Sequence, residues 1–222
     1  MAELPAIQAL QAEMTAWRHA LHAHPELAFD ERWTADFIAA RLEEFGLAVH
    51  RGLARTGVVG VLEGRPGART IGLRADMDAL PIRELNDLPY RSTRDGLMHA
   101  CGHDGHSTML LGAAKYLAAR RDFAGTAVFI FQPAEENEGG GRVMVEEGLF
   151  RRFPVDAVFG MHNKPGVPVG RFAIRPGPML ASYDVFEIAL NGTGTHAALP
   201  QSGRDPIVAA GQVITAMQTL VR

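Results

Sequence analysis

Residues 126–136 read Thr-Ala-Val-Phe-Ile-Phe-Gln-Pro-Ala-Glu-Glu. The first part is uncharged and rich in β-favouring side chains; the second is a polar residue, a proline and two acids. A short apolar run without alternation predicts a strand buried on both faces, and Pro133 marks its end. The same texture recurs at Val58–Leu62, Thr70–Arg74 and Val155–Phe159. Between two of these runs, His106–Arg120 sets Met109, Leu110, Ala113, Ala114 and Leu117 on one side of a helix. Strands interleaved with helices predict an α/β fold. Two helices are expected to precede it: one over Ile7–Leu21, and one from Thr34 as N-cap through Phe37, Ile38, Leu42 and Phe45 to a stop at Gly46.

Composition excludes several classes. With 222 residues, 47% of them hydrophobic and 21% charged, the chain is neither disordered nor fibrous. Its 22 basic and 25 acidic residues give a net charge of −3 without long runs of either sign, so no basic face suggests nucleic acid or an anionic membrane, and a small-molecule partner is expected. The N-terminus MAELPAIQALQAEMTAW carries early acids where a signal peptide has a basic start and an apolar stretch, so a cytoplasmic location is expected. A single cysteine, Cys101, excludes an internal disulfide.

Polar chemistry collects where the strands end. Thr70–Arg74 runs into Ala75-Asp76-Met77-Asp78, the opening strand into Glu135-Glu136, and Val155–Phe159 into Gly160-Met161-His162-Asn163. Open α/β sheets bind ligands outside the carboxyl ends of their strands, so these segments can converge. His99-Ala-Cys101-Gly-His103-Asp104-Gly-His106, just before the predicted helix, adds three imidazoles, a thiol and a carboxylate. Such donors suit Zn, Co, Ni or Fe, and carboxylates widen the choice to Mn. Cys101 and His103 are close enough in sequence to reach one metal cluster. Past Pro133, one acid of the Glu135-Glu136 pair can bind metal while the other stays free to take a proton from water, as metal-assisted hydrolysis requires; the residues alone do not say which does which. The histidines at 19, 22, 24 and 50 read as structural.

After residue 182 the texture changes. Phe186, Ile188 and Leu190 alternate with Val185, Glu187 and Ala189 as in a strand, a Gly-rich turn follows over Asn191–Thr195, and an apolar helix begins after Asp205-Pro206. The sequence stops inside that helix. A new domain is therefore expected to begin near residue 182 and to be cut short.

Assembled, the motifs resemble the M20 metallopeptidase superfamily. The segments that carry the likeness are Arg18 to Pro25-Glu26, Arg74 to Pro81, His99 to His106, Phe131 to Glu136, Gly160 to Asn163 and Gly192-Thr-Gly-Thr-His196-Ala-Ala. Within the superfamily the chain is similar to the amidohydrolase branch of hippurate hydrolases, N-acyl-amino-acid deacylases and auxin-conjugate hydrolases, because Arg74-Ala75-Asp76 replaces the His-x-Asp ligand motif of other members. The resemblance implies a zinc-peptidase-like catalytic domain over 1–181, with a mixed, largely parallel sheet flanked by helices, and the start of an α+β lid or dimerisation domain over 182–222. It implies two divalent ions (Mn, Zn, Co or Ni) held by Cys101, His103, Glu136 and His162, with Glu135 as general base and Asp76 as a group behind the ligands. His196 matches a histidine that in related enzymes reaches the partner subunit's active site and stabilises the tetrahedral intermediate, which implies a homodimer for the full-length protein. The implied reaction is hydrolysis of N-acyl amino acids. A fragment that only binds metal or self-associates, and a di- or aminopeptidase of the same superfamily, are the other readings. Family members are about twice as long, so a final histidine ligand and the rest of the lid are expected outside this sequence.

Overall fold

The computed structural model describes residues 4–180 and 185–220, in two compact units that divide after Gly166. The domain boundary expected between 181 and 182 lies outside the described residues.

The first unit is built on a five-stranded mixed sheet. Its elements run α1 (Leu4–Gln8), α2 (Gln11–Ala23), α3 (Arg32–Glu44), β1 (Ala48–Leu53), β2 (Gly57–Glu63), β3 (Arg65–Asp76), α4 (His103–Arg120), β4 (Ala124–Gln132), α5 (Gly140–Glu146), α6 (Leu149–Arg152) and β5 (Ala157–Gly160). The sheet order is β1-β2-β4-β3-β5, with β1–β2 and β2–β4 antiparallel and β4–β3 and β3–β5 parallel.

Strand β4 explains why this is a three-layer structure. Successive side chains of a strand point to opposite faces, and Ala127, Phe129 and Phe131 enter one core while Val128 and Ile130 enter the other. The first core packs against Trp17 of α2, the Ala35, Ile38, Ala39 and Leu42 stripe of α3, and Leu110, Leu111 and Ala114 of α4. On the opposite face, Met144, Leu149 and Phe153 cover Val59, Val128 and Ile130. Thus α4, which connects β3 to β4, lies on one face, and α5 and α6, which lead from β4 to β5 on the far side of β3, lie on the other. This reversal around β3 creates a crevice at the strand ends. Register completes the arrangement: Asp76 is paired with Gln132, and Arg74 with Gly160, so the polar ends of β3, β4 and β5 lie side by side.

Several expectations are corrected. The first helix is interrupted at Ala9–Leu10, where Leu10 N–H bonds back only three residues to Ile7 O. Helix α3 begins at Arg32, not after Thr34; its first-turn amides, Trp33 and Thr34, are capped by the sequence-remote carboxylate of Glu26. Strand β1, with His50 and Arg51 exposed on a sheet edge, and the Gly-rich α5 and short α6 have too little apolar patterning to be predicted. Strand β5 is not buried on both faces: it pairs with β3 alone, and all four of its residues are exposed.

In the second unit, α7 (Pro206–Met217) begins as expected, with Asp205 Oδ1 accepting Ile207 N–H at 2.8 Å and Pro206 in the first turn. The strand expected over Val185–Leu190 is not formed, because no described segment supplies a ladder partner for it; among the described residues of this unit the one pairing is a bridge between Thr193 and Arg204. Among the described residues no helix is long and apolar enough to cross a membrane.

Glu31, fully buried just before α3, ties distant segments together. Its Oε2 accepts from Thr56 Oγ1 at 2.6 Å and its Oε1 from Ala134 N–H at 2.8 Å. Burial pushes its carboxyl above the ordinary glutamate value, against the pull of those hydrogen bonds. A carboxyl that is harder to ionise in the folded state contributes stability that is complete below the unfolded-state pKa and is lost as pH rises through the folded-state value.

Two measurements test this core. Leu111→Ala, at a side chain with no exposure, is expected to lower unfolding free energy by about 2–5 kcal/mol in urea denaturation. Glu31→Gln keeps an acceptor for Ala134 and offers a donor to Thr56; it is expected to melt higher than wild type near about pH 7.5 and at the same temperature near about pH 3.5. An equal shift at both pH values would contradict the burial argument.

Candidate metal centre

The helix expected from His106 begins three residues earlier, so the second half of the His99–His106 motif is helical. Gly102, at φ +89°, reverses the chain so that α4 starts at His103, and a side chain at 102 would stand 2.4 Å from Asn163 Oδ1. His103 and His106 therefore share the first turn of α4, one above the other.

Five of the sequence-derived residues come together, with His103 at their centre. Ligand atoms of Cys101, His103 and His162 lie within 4.8 Å of one another, as do those of His103, Glu135 and Glu136. His103 Nε2 stands 3.7 Å from Glu136 Oε1 and 3.9 Å from Glu135 Oε2, and Cys101 Sγ is 3.4 Å from His162 Nε2. A third group, Asp76, His103 and His106, meets the same distance criterion, but Asp76 and His106 are otherwise engaged. Asp76 Oδ1 faces His106 Nδ1 at 2.6 Å, Asp76 Oδ2 accepts from Arg74 at 2.7 Å, and His106 Nε2 lies 3.0 Å from the Asn163 N–H. Asp76 thus stands behind the cluster, held by Arg74, which also grips Gln132 Oε1 at the neighbouring strand end.

Both central imidazoles are oriented to present Nε2. His103 Nδ1 pairs with Asp78 Oδ1 at 3.1 Å, and His162 Nδ1 donates to Asn163 O at 2.7 Å. Asp78 also accepts Glu136 N–H at 2.9 Å through Oδ2. Hydrogen bonds of this kind fix the tautomer and direction of a metal-binding imidazole.

The electrostatics favour a cation. His103 Nε2 is buried without a hydrogen-bond partner among the described residues, although carboxylate oxygens of Asp76, Glu135 and Glu136 surround it. Burial pushes the Cys101 thiol up to about 12, reinforced by the negative charges of Glu136, Asp76 and Glu135. Burial opposes protonation of His103, but the hydrogen bond to Asp78 and the charges of Asp76, Asp78 and Glu136 outweigh it and raise its pKa. Glu135 is also raised, by burial and the neighbouring carboxylates against the pull of His103. For Asp76, burial is overcome by the His106 hydrogen bond and by the positive charges of His103 and Arg74, which hold it well below the usual range. A divalent ion would relieve the concentration of negative charge and stabilise the thiolate, so this donor set fits a metal centre.

Other predicted residues lie elsewhere. His196 is in the second unit, where its Nδ1 accepts Ala198 N–H at 3.1 Å. His99 is buried with neither ring nitrogen partnered among the described residues, and burial lowers its pKa to about 4. His22 serves structure: it lies between Asp104 at 2.8 Å and Glu84 at 3.1 Å. Sequence reading placed Asp78, His106, Asn163 and Arg74 in the converging segments but gave none of them a role in the site. The available signals were the spacing of Asp76 and Asp78 at a strand end and of His103 and His106 on one helix face.

Residues 72–222 match the peptidase family M20/M25/M40. The chain is 49% identical to the hippurate hydrolase of Campylobacter jejuni over 98% of its own length and 57% of that protein, and 45% identical to an N-acetylcysteine deacetylase of Bacillus subtilis over 96% and 56%. A crystal structure of a Bacillus subtilis protein described as a dinuclear metal binding peptidase of the M20 family superposes with a TM-score of 0.73 at 44% identity, covering 77% of this chain and 48% of that one. The chain spans about half the length of the curated relatives it matches. The motifs of the first unit that converge at its strand ends and a family match over most of the sequence agree, and the chain belongs to peptidase family M20/M25/M40.

Proposed function

We propose that this chain carries most of the centre of a metal-dependent amidohydrolase that cleaves the amide bond of N-acyl amino acids such as hippurate or N-acetyl amino acids. The observation that carries the reading is the buried, unpartnered Nε2 of His103, around which Cys101, His162, Glu135 and Glu136 converge. Cys101, His103, Glu136 and His162 would hold two divalent cations, with Mn, Zn, Co and Ni all compatible with such donors. When bound, such ions supply Lewis acidity, lowering the pKa of water and polarising the acyl carbonyl.

The chain's own part is proton transfer and orientation. Glu135 is 38% exposed at its side chain, so it can meet substrate from the crevice. Its carboxylate accepts a proton from the water whose oxygen bonds to the acyl carbon. The carbon–nitrogen bond then breaks, and Glu135 returns the proton to the departing amine, giving a carboxylic acid and a free amino acid. His196 from a second copy would stabilise the developing oxyanion in a homodimer of the full-length protein. Hippurate hydrolase and N-acetylcysteine deacetylase activities in the relatives support the substrate class.

Elemental analysis, together with assays on hippurate and N-acetyl amino acids with each metal added, tests the reading. Two ions with turnover are expected once a further segment supplies the final histidine ligand and the rest of the lid, and weak or no turnover without them; metal bound without turnover even then favours a binding fragment, and activity confined to dipeptides favours a peptidase. Glu135→Gln is expected to retain metal while losing about 10²- to 10⁴-fold in turnover. Full activity in that variant would remove the assigned base.

A further inference from the structure

The residues on either side of Glu135 are both held by buried carboxylates from distant parts of the chain. Ala134 N–H donates to Glu31 Oε1 at 2.8 Å, and Glu136 N–H donates to Asp78 Oδ2 at 2.9 Å. Each carboxylate is pinned by its other oxygen, Glu31 by Thr56 Oγ1 at 2.6 Å and Asp78 by His103 Nδ1 at 3.1 Å. Glu31 is fully buried and Asp78 is 1% exposed.

The turn between them needs such support. Ala134 has φ +53°, a conformation that a residue with a β-carbon keeps only where its surroundings impose it. Its carbonyl accepts Gly140 N–H at 2.9 Å, and a β-carbon at Gly140 would stand 1.9 Å from Pro133 O. The turn is therefore fixed from several directions, and Asp78 links it directly to the His103 ring.

We propose that Asp78 and Glu31 are positioning residues that clamp the Glu135–Glu136 turn, Asp78 setting it in register with His103 through a single shared carboxylate. This rests on the metal-centre reading given above. It follows that moving either clamp displaces Glu136 and Glu135 relative to His103 while leaving every ligand in place in the sequence.

The test compares wild type with Asp78→Asn, Glu31→Ala and Glu31→Gln, using Zn²⁺ and Co²⁺ titration calorimetry, residue-resolved amide hydrogen exchange by NMR, and circular dichroism to verify folding. Asparagine can accept at one oxygen only, so Asp78→Asn is expected to weaken cation binding by about 10- to 100-fold and to speed exchange at Glu136. Glu31→Ala is expected to speed exchange at Ala134 and weaken binding, and Glu31→Gln to restore both, because its amide oxygen still accepts from Ala134. Binding within about twofold of wild type in both Asp78→Asn and Glu31→Ala would overturn the proposal, since ligand-supporting groups normally cost more than that. Failure of Glu31→Gln to rescue would do the same. If wild type binds neither cation, the metal reading fails, and exchange alone then judges the clamps: unchanged protection at Glu136 in Asp78→Asn would overturn them.

Discussion

Asp76 and Asp78, both 1% exposed at the end of β3, need partners, because a carboxylate taken out of water is costly unless it is paired and hydrogen-bonded. The surrounding structure supplies them. Arg74 reaches along its own strand to Asp76, the first turn of α4 delivers His106 to Asp76 and His103 to Asp78, and the turn after β4 delivers Glu136 N–H to Asp78. The two carboxylates thus organise three segments of chain. The imidazole they leave facing inward, at Nε2 of His103, is the centre of the candidate site.

The sheet makes this meeting possible. Parallel pairing of β3 with both β4 and β5 sets their carboxyl ends at one level. The helices that connect the strands pack on opposite faces of the sheet. Two separate apolar cores then hold the sheet rigid from both sides, so the polar groups stand on elements whose positions are set by packing. This is the arrangement on which accurate ligand geometry depends.

How much could be read from the sequence differs by type of interaction. The strand over 126–131 and the helix face of Leu110 and Ala114 were legible because burial follows periodicity. Cys101, His103, Glu135, Glu136 and His162 were legible as a group because strand-end position and donor chemistry point the same way, and the structure brings them together. Asp78 and Glu31 were not singled out, since their work is done through backbone amides of residues far along the chain, which no local pattern announces. The Thr34 cap failed for a related reason: Glu26 satisfies the α3 amides from outside the helix. The Val185–Leu190 strand failed because alternation specifies a face and cannot supply a neighbour.

The two margins of the sheet have opposite characters. At β1 the border carries exposed His50 and Arg51, charge and polarity of the sort that discourages another strand from docking. At β5 the border carries Val158 and Phe159, 44% and 59% exposed, beside backbone groups that face no further strand among the described residues. Among the described residues, pairing with a further strand is thus opposed by charge and polarity at β1 and not at β5. An exposed apolar strand edge of that kind is a place where a further strand can add, in this chain or from another.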